Sequence, residues 1–66
     1  MTNPTARERQ RRLQDQLTGE YDRLLNLADE AGKAGCDPQT ITGLMTAAHK
    51  VADVRQRVTD QLTWLA

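Results

Sequence analysis

From Ile41 onward the apolar residues recur in an unbroken alternation of three and four: Ile41, Leu44, Ala48, Val51, Val58, Leu62 and Leu65, with Arg55 at the one polar step. Only a helix returns residues at that spacing to one face; a strand repeats every two. In heptad terms Ile41, Ala48, Arg55 and Leu62 occupy a positions, and Leu44, Val51, Val58 and Leu65 occupy d positions. The run from Pro38 to Leu65 holds 28 residues, about 42 Å of helix at 1.5 Å per residue. A helix this long belongs to a hairpin or bundle and not to a compact multi-helix ball.

A second stripe precedes it, through Leu13, Leu17, Tyr21, Leu24, Leu27, Ala28 and Ala31. Two start signals stand ahead of it. Asn3-Pro4 offers a cap and a first-turn proline, and Thr5 with Glu8 has the capping-box spacing. Gly19 is the sole glycine inside this run. The segment Gly32-Lys33-Ala34-Gly35-Cys36-Asp37-Pro38 then breaks the pattern. Either glycine can take the left-handed conformation that ends a helix, and Asp37 can cap the next helix with Pro38 in its first turn. A connection this short lays the helices antiparallel. The expected fold is all-α: a two-helix hairpin over about residues 5–32 and 38–65, within a single domain 1–66 whose residues 1–4 fray.

A hairpin centred near Gly35 pairs residues whose numbers sum to about 71. Ile41 then meets Ala31, Leu44 meets Leu27, Ala48 meets Leu24 and Val58 meets Leu13. Arg55 falls one layer from Glu20. The expectation is either that these two charges approach each other, fixing the register at some cost in stability, or that Arg55 lifts its charge to the edge.

Met45, Ala47, Ala52 and Val54 widen the stripe of the second helix, and Leu25 widens the first. One hairpin covers only one side of each helix, and a chain of 66 residues and 7.4 kDa buries only about 60% of its unfolded surface. The remaining apolar face calls for another chain. The economical arrangement is a homodimer forming a four-helix bundle, with Leu44, Met45, Ala48, Val51, Ala52, Val54, Val58, Leu62 and Trp64 as interface residues. Trp64 has two readings, an anchor for a partner or a cap on the end of the bundle.

Little in the chain can carry chemistry. His49 is the single histidine, with Asp53 four residues on, but a lone pair on an open helix face lacks a nucleophile and a pocket. Cys36, the single cysteine, excludes an intramolecular disulfide and sits in the turn. No metal-ligand set and no phosphate-binding loop is present, so neither a metal nor a cofactor is expected. No apolar run is long enough to span a membrane, and no secretory leader pattern opens the chain, so a cytoplasmic protein is expected.

The nine basic and nine acidic residues cancel overall, yet Arg7, Arg9, Arg11 and Arg12 stand against Glu8 at the start. Glu8 can pair with Arg12 one turn away. The chain is therefore expected to be a small non-enzymatic protein-interaction module (an adaptor, inhibitor or phage or plasmid accessory protein) acting as a hairpin dimer, with a further protein partner. The alternative is a nucleic-acid-binding dimer whose four arginines contact phosphates. A small enzyme with an intersubunit site around Glu20, Tyr21 and Arg55 is the most distant reading.

Overall fold

The computed structural model describes residues 5–65, with side chains as far as Thr63. Two helices make up the fold: α1, Ala6–Lys33, and α2, Pro38–Leu65. The chain is an all-α two-helix hairpin, with α1 bounded one residue later at each end than the apolar pattern implied. Of the two start signals, Thr5 caps α1. Its backbone is extended, and its Oγ1 accepts a hydrogen bond from the Glu8 amide at 3.2 Å. The other signal, Asn3-Pro4, and the fraying expected of residues 1–4 lie outside the described residues.

The reversal is built from backbone hydrogen bonds. The Cys36 amide donates to the Ala31 carbonyl at 3.0 Å and the Gly35 amide to the Gly32 carbonyl at 3.2 Å. This is the paired closure in which the residue after the C-cap must be left-handed, and Gly35 has φ 76°. Two residues later α2 begins. The amides of Thr40 and Ile41 donate to the Asp37 carbonyl, and the Thr40 hydroxyl donates to Asp37 Oδ1.

That hydroxyl, followed by nearby backbone amides, holds the Asp37 carboxyl below its ordinary value. A depressed folded pKa adds stability above the unfolded carboxyl's titration, and this is lost as pH falls through the folded value. Asp37→Asn therefore flattens the acid limb of the stability curve. Parallel thermal melts of both proteins between pH 7 and 2 check this; identical pH profiles would remove Asp37 as a contributor.

The helices meet along one stripe each. On α1 the covered or half-covered residues recur at Gln10, Gln14, Leu17, Tyr21, Leu24, Ala28 and Ala31. On α2 they follow Ile41, Leu44, Ala48, Val51, Arg55, Val58 and Leu62. The buried apolar residues are Ala28, Ala31, Ala48 and Val58. All are small, because close approach of two helices leaves room only for small side chains at the centre of the contact. Among the described residues no large side chain is fully buried.

The molecule measures 49 × 25 × 10 Å, with a radius of gyration of 15.3 Å; a compact chain of this length has roughly 11 Å. Its accessible surface is 5216 Å², against roughly 4,200 Å² for a compact protein of this mass. Gly19 lies in the exposed middle of α1, and a methyl group added there meets nothing within 4 Å. Gly19→Ala therefore raises stability by about 1 kcal/mol, read as a higher denaturant midpoint at unchanged m-value.

Candidate interaction surfaces

Polar contacts cross the seam and mark its register. Gln14 Nε2 donates to Thr59 Oγ1 at 2.6 Å, and Arg55 Nη1 donates to Thr18 Oγ1 at 3.1 Å. Each threonine passes its own proton to a carbonyl four residues back in its helix: Thr59 to Arg55 O and Thr18 to Gln14 O, both at 3.0 Å. The result is a reciprocal ring. Each helix contributes a long donor and, one turn later, a threonine that accepts from the other helix.

Both crossings join residues whose numbers sum to 73, not 71. At the turn, a methyl on Gly32 would stand 4.0 Å from Ile41 Cδ1, with the same sum. The hairpin is thus centred between Cys36 and Asp37, one residue beyond the centre that the glycines suggested. The physical reason is the left-handed closure at Gly35, which places the reversal after that residue instead of on it.

The shift redistributes the expected contacts. Arg55 engages Thr18, and Glu20 instead lies 3.9 Å from Arg23 on its own exposed helix face. The expected approach of Arg55 to Glu20 does not occur. Glu8 and Arg12 form no ion pair either, nor do His49 and Asp53; the ion pairs among the described residues are Glu20–Arg23 and those of Lys33 with Asp29 and Glu30. Leu13 and Leu27, expected in the seam, are 43% and 44% exposed, while Gln14 and Gln10 occupy seam positions. Gln10 Oε1 is buried with no hydrogen-bond partner.

The ring also tells the two broad faces of the hairpin apart. Thr18 and Leu25 on α1, with Thr59, Ala52 and Met45 on α2, follow the flank on which the ring closes. Heptad spacing puts Leu13, Glu20 and Leu27 on the opposite flank of α1, and Ala47, Val54 and Gln61 on the opposite flank of α2.

Among the residues singled out as an interface, Ala48 and Val58 are buried against α1 and are closed to any other chain while the hairpin holds. Leu44, Val51, Ala52, Val54 and Leu62 are half-buried, and Met45 is 37% exposed. The side chain of Trp64 lies outside the described residues. Arg7, Arg9, Arg11 and Arg12 are all exposed, but only Arg7 and Arg11, one turn apart, line a common groove. This groove, of about 550 Å³, runs between the open ends of the helices past Gln14, Asp15, Thr59, Leu62 and Thr63. No carboxylate lies within ion-pairing distance of either arginine among the described residues.

His49 and Cys36 are exposed, and no cluster of three metal-ligating side chains occurs among the described residues. No described helix is long and apolar enough to cross a membrane. No family model, curated protein or solved structure matches this chain.

The sequence reasoning missed the polar ring. A signal for it was present: stepping back from Ala31 in alternating threes and fours reaches Ala28, Leu24, Tyr21, Leu17, Gln14 and Gln10, and bypasses Leu13. The apolar character of Leu13 outweighed the period.

Proposed function

We propose that this protein is a non-enzymatic interaction module, a helical hairpin that works by associating with other helices along its broad faces, first with a second copy of itself. The observation that carries this is the shallow core: among the described residues, four small buried ones, no fully buried large side chain, and Leu13, Leu27 and Met45 left open to solvent. Chains of this size without disulfides or metals commonly gain stability by association. The face bearing Met45 and Ala52 then remains for a different protein. Sedimentation equilibrium over a concentration range tests the reading. A mass near twice 7.4 kDa is the expected result; a folded monomer at every concentration, with no protein partner retained, removes it.

The groove of Arg7 and Arg11 supports a second reading, in which the open end binds phosphate groups of a nucleic acid. Two arginines with no carboxylate within ion-pairing distance among the described residues are available for such contacts. Arg7→Ala with Arg11→Ala then abolishes salt-sensitive binding to a mixed-sequence RNA or DNA duplex, whereas Arg9→Ala with Arg12→Ala only weakens it. Equal effects of the two pairs would mean a diffuse charge effect without a site in the groove.

A further inference from the structure

The exposed face opposite the polar ring has a pattern that matches itself when reversed. Leu13 and Leu27 stand seven residues on either side of Glu20, on one flank of α1 and with nearly equal exposure. Glu20 lies at the mid-length of the hairpin, close to the level of Val54 on α2. A twofold axis through that level, transverse to the helices, lays the α1 of one chain on the α1 of a second copy, running in opposite directions. It sets Leu13 on the second copy's Leu27 twice over and brings the two Val54 residues together at the axis. A twofold along the helices gives poorer pairs, with Leu13 over Gln61 and Leu27 over Ala47.

Charge selects the same orientation. The open half of the hairpin, residues 5–19 and 52–65, carries six arginines against four carboxylates. The turn half, residues 20–51, carries three cations against five carboxylates. The rod is therefore polarised, basic at its open end and acidic at its turn. Reversed copies set each basic end on an acidic end; aligned copies would set like on like. The face measures 49 × 25 Å, enough for an interface of roughly 800 Å² per copy.

We propose that the hairpin dimerises antiparallel through the face of Leu13, Leu27 and Val54, with the turn of each copy over the open end of the other. This rests on the association reading above and specifies its geometry. The two Glu20 carboxylates meet at the axis, each already 3.9 Å from an Arg23 guanidinium. They are an unfavourable pair in the arrangement, and they mark it.

The test uses the full chain and its single cysteine, Cys36, exposed in the turn. A nitroxide on Cys36 reports the separation of the two turns by pulsed electron spin resonance, beside sedimentation equilibrium at low and high salt. The antiparallel dimer gives a spin–spin distance on the order of 40 Å, the length of one helix. It dissociates several-fold more readily at high salt, as screening removes the end-to-end attraction.

Leu27→Asp leaves the hairpin helical, because Leu27 is already open to solvent, and abolishes the dimer. Glu20→Gln tightens the dimer several-fold. A dimer with the labels within about 20 Å, the turns then lying side by side within two helix diameters, overturns the orientation while leaving self-association standing. A dimer that survives Leu27→Asp overturns the choice of face. A monomer under all conditions overturns both the association and this geometry.

Discussion

Replacing Ala48 with leucine lowers the stability of the hairpin by about 1–3 kcal/mol, the range for forcing extra methylenes into a packed contact. Ala48 is the most completely covered residue described, with 0% of its surface exposed. The register, with facing numbers summing to 73, puts it level with Leu24 and Leu25, large residues against a small one. A leucine at 48 finds no free space at a position already fully covered, and a two-helix contact can relieve the clash only by spreading the helices. Spreading then weakens Ala28, Ala31 and Val58, the other buried residues among those described. The same change on an open helix surface is nearly neutral, since leucine and alanine differ little in helix propensity. Urea unfolding of both proteins separates the cases. A midpoint unchanged by Ala48→Leu would mean that the helices are not in close contact at this layer.

How much of this was legible in the sequence depends on the half of the molecule. Near the turn most local signals agreed, Leu27 excepted, which is exposed despite its place in the expected seam. Gly35 was a candidate for the left-handed position and takes it, Asp37 and Pro38 open α2, and Ala28, Ala31 and Ala48 supply the small residues that close contact requires. In the open half, residue type and period disagreed. Leu13 is apolar but lies off the stripe, while Gln14 is polar and lies on it.

Periodicity fixes which residues face inward; hydrophobicity fixes only which would gain most from doing so. The one-residue shift of the centre was hidden for a related reason. Either glycine could have ended α1, and the choice depends on backbone closures at Ala31 and Gly32 that side-chain patterns do not encode. The polar ring follows from the shifted register, because a sum of 71 would carry Arg55 past Thr18. The basic N-terminal segment was legible as composition, but the arrangement of Arg7 and Arg11 on one groove required knowing which flank of α1 meets α2.

The polar ring leads to a second expected result, of opposite sign. Replacing Gln14 and Arg55 together with leucine raises the stability of the hairpin by about 1–3 kcal/mol, at roughly 25 cal/mol for each Å² of added apolar burial. Both positions lie on the seam and are already half-buried. The threonines are not left stranded, because the hydroxyl protons of Thr18 and Thr59 remain donated to carbonyls within their own helices. What disappears is two side-chain crossings and the burden of a half-buried guanidinium with no carboxylate within ion-pairing distance among the described residues.

The ring therefore serves alignment more than stability. Two helices with long apolar seams can slide by a turn at modest cost, and donors that find their acceptors in only one register hold them in place. The leucine double variant is expected to be more stable and less singly ordered: a higher denaturant midpoint, together with extra amide resonances from the open half, residues 5–19 and 52–65. Arg55→Ala alone removes both the crossing and the packing of the arginine stem, so it lowers stability where the leucine variant raises it. If the double variant were less stable than the natural chain, the ring would be a net source of stability, and the case for it as a register device would fall.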